Sequence, residues 1–401
     1  MLGLMKNLIK SLPKHKRVLR KTTIDAEGPG TILRDFEAFL DYFREQPREV
    51  TGQHQIKLKD LPALNARLTN PLEHGLTRPV QKSFPHLNGL YLLLRASGLT
   101  YVDTTKKTPV LVVDDPMYAL WQTLNPTERY CTLLETWLLR GHAEIIGERD
   151  FGWRTVVPPT ATTAVDVLNK IPEEGRPVDE IQGLEGTLQY LLGWHNLGLM
   201  DLFGFVNVRP APPQPGEAWT LAWVASTPVG KALLALLNTE FFNDPDIVSL
   251  EQEDWDSFGA LQPVLRPYFP MWQTVLRPPK RAFRDGVHIF KIALWKDVWW
   301  RIAIPGDCVL DTLSSAILSA VHFSSDHLYM FTYQAPTGLE KHIYHPYMDE
   351  GPWTSEVRVG DVSLQVGQVM DYNFDFGDDW HFAVVLERVD PPDPALSEPI
   401  V

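Results

Sequence analysis

The chain has 401 residues, a formal net charge of −13, and 44% hydrophobic and 22% charged side chains. That is a soluble globular composition long enough for several cores, and its acidic balance argues against a large nucleic-acid surface, which needs clustered Lys and Arg. Cys131 and Cys308 are the only cysteines; so far apart, they make neither a disulfide framework nor a zinc knuckle, and they fit a reducing cytosol.

The charge is uneven. Residues 1–22 carry seven basic side chains, among them Lys14, Lys16, Arg17, Arg20 and Lys21, and no acid. The reading for this run is a solvated basic tail, with those five residues as nucleic-acid candidates. Leu2, Met5, Ile9 and Leu12 fall on one helical face, which suggests a weak amphipathic helix packed on its own protein. Lys6 and Asn7 split the apolar start, so it is no signal peptide, and no stretch reaches the ~18–20 apolar residues of a membrane span. The expectation is a cytoplasmic protein with no membrane contact.

Residues 1–60 hold this tail and the first helices. "ILRDFEAFLDYFREQP" puts Ile32, Phe36, Phe39, Leu40 and Phe43 on one face and stops at Pro47. "KLKDLPALNARL" is a second, short helical stretch. Residues 61–150 then read as helix ("PHLNGLYLLLRASGL"), hairpin ("TYVDTTKKTPVLVVD") and helix ("DPMYALWQTL"). Residues 151–275 repeat that order with "LEGTLQYLLGWHNLGL", "FGFVNVRPAPPQPGEAWTLAWVAST" and "TPVGKALLALL". Both blocks restart a helix with a capping residue followed by proline. They are expected to be two winged-helix-like modules of a degenerate internal repeat.

A DNA-reading winged helix wants basic residues on its recognition helix and wing. The first helix offers Arg95 alone and the first wing Lys106 and Lys107; the second helix offers none and its wing Arg209. Leu, Tyr and Trp fill these helices, which favours a protein contact over nucleic acid. "LNPTERYCTLLETWLL" reads as one more amphipathic helix, and Asp150-Phe151-Gly152 has no kinase loops to accompany it.

Residues 284–395 have a different grammar. "GVHIFKIALW" and "VWWRIAIPGD" are strands, "CVLDTLSSAILSAV" is a helix, "HLYMFTYQ" is a strand, and a loop runs on through "YHPYMDEGPW". "VSLQVGQVMDYNFDF" and "WHFAVVLERV" close as a hairpin. The fold class expected is therefore α+β multidomain: a helical N-terminal part with two winged-helix-like modules, then an antiparallel sheet with a packed helix. Between residues 286 and 390, six basic side chains face fifteen acidic ones.

"VWWRIAIPGD", "DHLYMF" and "YNFDFGDDWHFAVVLE" together resemble the plasmid pRiA4b ORF-3-like family over about residues 286–390. The family pattern is a Trp-Arg-Arg strand ending at proline, a helix with Leu-His, a Trp-x-Asp-x-His-Leu-His-x-Phe strand and a Tyr-Asp-Phe-Gly-Asp-Asp-Trp close. The resemblance implies a link to plasmids and mobile elements, with no activity to transfer. This chain departs from it in three places: "LDTLSSAI" lacks the Leu-His pair, Tyr329 replaces the second histidine, and Phe323 stands where members have Trp.

The "FGDDWHF" close has two readings. As structure, Tyr372, Phe374 and Phe376 face the core, Gly377 supplies a positive φ, and Asp378 and Asp379 bond the turn's own N–H groups. As chemistry, Asp375 and His381 meet across the hairpin and are joined by Asp326 and His327. With Asp378 and Asp379 these form a carboxylate–imidazole cluster able to hold a divalent metal and activate water. The leading expectation is a non-enzymatic interaction or regulatory module with a protein partner, possible enzymatic action being left open. The alternatives are a metal-dependent hydrolase or nuclease using that cluster, and a DNA-binding accessory protein using the basic tail and wings.

Overall fold

The computed structural model describes residues 2–105, 107–148, 159–242, 258–279 and 282–401, with the side chains of 2–11 and 159–162 outside the description. Lys106, Asp150-Phe151-Gly152, the expected boundary at 150/151 and the apolar face of Leu2, Met5 and Ile9 thus lie outside the described residues. The chain forms two compact units. One runs to Tyr101 and resumes at Leu111–Pro278; the other is Pro279–Val401 with Val102–Val110. Among the described residues no helix is long and apolar enough to cross a membrane.

The first unit is mainly helical. Its helices include α1 (Leu2–Lys21), α2 (Ile32–Glu45), α3 (Leu61–Asn65), α4 (Pro85–Ala96), α5 (Asp115–Thr123), α6 (Pro126–Glu135), α7 (Pro159–Lys170), α8 (Leu184–Thr187), α9 (Trp194–Leu202) and α10 (Pro228–Leu237), with one further short turn of helix at Gln262–Leu265. Their sequences explain their bounds. In α2, Phe36, Phe39, Leu40 and Phe43 are buried, and the helix ends at Gln46, whose extended backbone is what a following proline demands. Asp114, Asn125 and Thr227 cap α5, α6 and α10, each accepting at 3.0 Å from a backbone N–H three residues on. A proline follows each cap within two residues, where its missing N–H costs nothing. The expected basic tail is thus helix α1, which packs on α10.

Two small sheets carry the hairpins. Strands β1 (Arg48–Glu49), β2 (Thr100–Asp103) and β3 (Val110–Val113) lie in the order β1-β3-β2, and β4 (Arg176–Pro177), β5 (Val206–Pro210) and β6 (Leu221–Ser226) in the order β4-β6-β5. Helix, hairpin, helix is present in both blocks. That order alone does not establish a winged helix, and the helices do not suit groove reading. All twelve residues of α4 are buried, so none of its faces is free to enter DNA. The run expected as one helix, "LEGTLQYLLGWHNLGL", is instead α8, a wide π turn at Leu188–Leu192, and α9. The break is Gly193, at φ 80 and ψ 143, a conformation open only to glycine.

α4 and α9 cross through matching residues. His86-x-x-Gly89-Leu90 on α4 corresponds to His195-x-x-Gly198-Leu199 on α9. A Cβ on Gly89 would lie 2.7 Å from Leu199 Cγ, and one on Gly198 would lie 2.9 Å from the His86 backbone nitrogen. Each glycine therefore lets the other helix approach. His86 Nε2 and Asp201 Oδ2 add a hydrogen bond of 2.9 Å. On α6, Glu128 accepts from Thr274 N at 2.6 Å, and Glu135 accepts from Gly259 N and Leu261 N at 2.8 Å each. The two carboxylates tie residues 259–274, which have little regular structure of their own, to the helical core.

The second unit is a six-stranded antiparallel sheet with one helix on a face. Strands β7 (Val287–Trp295), β8 (Val298–Pro305), β9 (Tyr329–Gln334), β10 (Glu340–Tyr344), β11 (Val369–Phe374) and β12 (Trp380–Asp390) lie in the order β10-β9-β11-β12-β7-β8, and α11 (Leu310–Val321) covers the core side. Alternation decides which face is covered: Phe290, Ile292, Phe331, Tyr372, Phe382 and Val384 are buried with Leu313 and Ile317 of α11. Each such side chain contributes ~1.5–3 kcal/mol of burial. The fold class is as expected from sequence, with β10 added where a loop was anticipated. Ile400 pairs with Ala303 in both directions, at 2.8 and 2.9 Å, on the outer side of β8, closing part of an edge that would otherwise offer unpaired backbone groups.

Candidate functional site

The β11–β12 hairpin positions most of the cluster expected to carry chemistry. Its register sets Asn373 opposite His381 and Asp371 opposite Ala383. Tyr372, Phe374 and Phe382 therefore point into the core, while Asp371, Asn373 and His381 share the other face. The turn between the strands is built by aspartates, not by Gly377. Asp375 and Asp379 take the left-handed conformation, at φ 56 and φ 57, a region that Asp tolerates better than most residues. Asp375 Oδ1 accepts from Gly377 N at 3.1 Å. Phe376 leaves the core pattern because β11 has already ended at Phe374, and it is exposed.

The six expected residues do not form one centre. Five of them fall into two Asp–His–Asp groups, one of which is completed by Asp371. His381 Nδ1 meets Asp371 Oδ2 at 2.8 Å and its Nε2 meets Asp379 Oδ1 at 3.1 Å. His327 Nδ1 lies 3.5 Å from Asp375 Oδ2, and its Nε2 3.6 Å from Asp326 Oδ1. Asp375 thus partners His327, not His381, and Asp378 joins neither group. The bond from Asp371, reinforced by Asp379, raises the His381 pKa above its ordinary value. The Ser324 hydroxyl is the main cause that lowers that of Asp326. With both ring nitrogens of His381 protonated, Asn373 Nδ2 can donate only to Asp379, at 3.0 Å.

This geometry is closed to a shared ion. The two nitrogens of an imidazole point in opposite directions, so carboxylates at its two ends cannot ligate one metal along with it. Among the described residues no group of three or more His, Cys, Asp and Glu side chains could hold a metal ion. What the arrangement can do is hold a proton on His381 and fasten the strained turn to β11.

A second polar network, not anticipated from sequence, lies on the core side. Ser314 of α11 and Tyr372 of β11 share a hydrogen bond of 2.7 Å between their hydroxyls. The Tyr329 hydroxyl donates to Asp311 in the first turn of α11 and lies 3.1 Å from the Thr354 hydroxyl. Burial pushes the Tyr329 phenol up to about 12 and the Tyr372 phenol higher still. These groups join α11 to β9 and β11. The departures from the family pattern were the available signal: "LDTLSSAI" and Tyr329 lie far apart in sequence and meet in this one network.

The remaining candidates are scattered. Lys14, Arg17, Arg20 and Lys21 are exposed on α1, whereas Lys16 is paired to Glu240 at 2.6 Å. Lys107 lies between β2 and β3. Both thiols are held up by burial, Cys308 in spite of its place before a helix, so neither is a poised nucleophile.

The second unit is thus an α+β domain of antiparallel strands and one covering helix, with an imidazole-pinned aspartate turn as its most distinctive polar feature. Over residues 287–401 it matches the family model described as plasmid pRiA4b ORF-3-like protein. Solved structures similar to the chain include the crystal structure of a protein of unknown function, MM3350, from Methanosarcina mazei Go1. It is 26% identical, with 29% of this chain and 68% of that chain covered, at a TM-score of 0.26. No curated protein matches the chain.

Proposed function

We propose that the chain is a non-enzymatic interaction module that docks a protein partner through its C-terminal domain. The observation that carries this reading is the tip of the β7–β8 hairpin, where Trp295 and Trp299 are 60% and 45% exposed beside an exposed Val298. Large aromatics are costly to leave in water and dominate protein interfaces. Lys291 and Arg301 approach the Trp299 ring at 5.0 and 5.4 Å, fixing it outward. The strand orders β1-β3-β2 and β4-β6-β5 support reading the two N-terminal blocks as winged-helix-like modules that serve as scaffold, since α4 is buried throughout.

The hydrolase reading, centred on Asp326, His327, Asp375, Asp378, Asp379 and His381, is the weaker one, because the imidazoles are already spanned by carboxylates. The test is affinity capture with the full chain and with a Trp295→Ser/Trp299→Ser variant. A partner that the wild type retains and the variant loses, at unchanged thermal stability, supports the reading. Identical capture by the two proteins sinks it.

A further inference from the structure

We propose that the outward face of α1 is a contact surface for the phosphate backbone of duplex DNA, with Lys14, Arg17 and Lys21 each meeting one phosphate. This goes beyond the protein-docking reading and rests on different residues. The three positions are spaced i, i+3 and i+7, so they lie on one side of the helix. All three are exposed, and among the described residues none has a carboxylate partner. Lys16, on another side, is the one neutralised, by Glu240 at 2.6 Å. A fixed stripe of unpaired cations in a chain of net charge −13 stands apart from the rest of the protein.

The rise of an α-helix sets the stripe at ~10 Å long. Duplex DNA carries one phosphate charge per ~1.7 Å of its axis, so a stripe of that length faces a dense field of phosphates. Rivals fit less well. Lipid insertion needs a free apolar face; among the described side chains of α1, Leu19 is fully buried, and the helix packs on α10. Sequence-tolerant binding of single strands uses stacked aromatics, and α1 contains no Phe, Tyr or Trp. Packing on α10 fixes the helix that carries the cations, so its backbone needs no ordering on contact.

The experiment uses the full chain and a fluorescein-labelled 20-base-pair duplex of arbitrary sequence, read by anisotropy from ~50 to ~200 mM salt. Three phosphate contacts predict a slope of log K against log salt of about −3. A Lys14→Gln/Arg17→Gln/Lys21→Gln variant is expected to lose ~10-fold or more in affinity at low salt and most of the slope, while K16Q keeps the slope. Helix content by circular dichroism checks that the variant is folded; should it unfold, the wild-type slope decides alone. Absence of binding at low salt, binding retained by the folded triple variant, or tighter binding to a single strand or to phosphatidylserine vesicles than to the duplex would each overturn the proposal.

Discussion

Glu135 is the side chain with the most to lose from a change of one atom. It lies on α6, deeply buried, and its two oxygens each take a backbone N–H, from Gly259 and from Leu261. Burial nevertheless outweighs those bonds and raises its pKa from 4.5 to about 7. A folded pKa above the unfolded one means that folding favours the protonated group. Its contribution to stability is full below 4.5 and is lost as pH rises through about 7. Glu135→Gln keeps one acceptor and turns an amide N–H₂ toward the other backbone donor. The expected cost is ~1–3 kcal/mol at neutral pH, together with a flatter stability curve between those two pH values. Urea unfolding across that range checks both; an unchanged pH slope would remove Glu135 as the titrating group. From sequence this glutamate was only one position of an amphipathic helix, because nothing local indicates that its partners lie some 125 residues ahead.

Among the elements, the β11–β12 turn couples strain to charge. Asp375 and Asp379 hold left-handed backbone, and His381 bridges Asp379 to Asp371 on the adjoining strand. The raised pKa of His381 sets the sign: its contribution is present below the ordinary value of 6.5 and fades as pH climbs through the higher folded value. Its exposure keeps the effect small. His381→Gln is expected to leave the acid-side melting temperature slightly lower and to erase the fall that sets in as pH rises above 6.5. A proton NMR titration of the imidazole gives the second reading; a midpoint at or below the ordinary value would contradict the bridge. Alternation made the two faces of this hairpin legible, since it depends only on period two. Register was not legible. A pairing displaced by two residues exchanges Asp375 for Asp371 as the partner of His381, and no hydrophobic pattern distinguishes the two because the core face is the same in both. β10 was illegible for a related reason: in "EKHIY", Ile343 supplies the core contact, too little to show a period.

For the whole molecule, the division into two units predicts how damage spreads. Each has its own buried core: one around the α4–α9 crossing, the other between α11 and the six-stranded sheet. If each core melts as its own cooperative unit, a core substitution shifts one transition and leaves the other in place. Phe331, fully buried in the sheet domain, is the probe for one core: Phe331→Ala is expected to cost ~3–5 kcal/mol through lost burial and the cavity left behind. Gly198 is the probe for the other. The Cβ of Gly198→Ala would press on the backbone of Pro85 and His86, which cannot turn aside as a side chain can, so an overpacking cost of ~1–3 kcal/mol is expected despite alanine's better helix propensity. By calorimetry Phe331→Ala should lower one transition by on the order of 10 °C and Gly198→Ala the other by a few degrees. The double variant should show both shifts unchanged, since each site lies in the core of its own unit. A single peak that moves in both single variants would mean that the units unfold as one. The proposed docking tip on the sheet domain and the proposed DNA-contacting face of α1 would then have to be treated as parts of one cooperative body, in which occupancy of either surface stabilises the other.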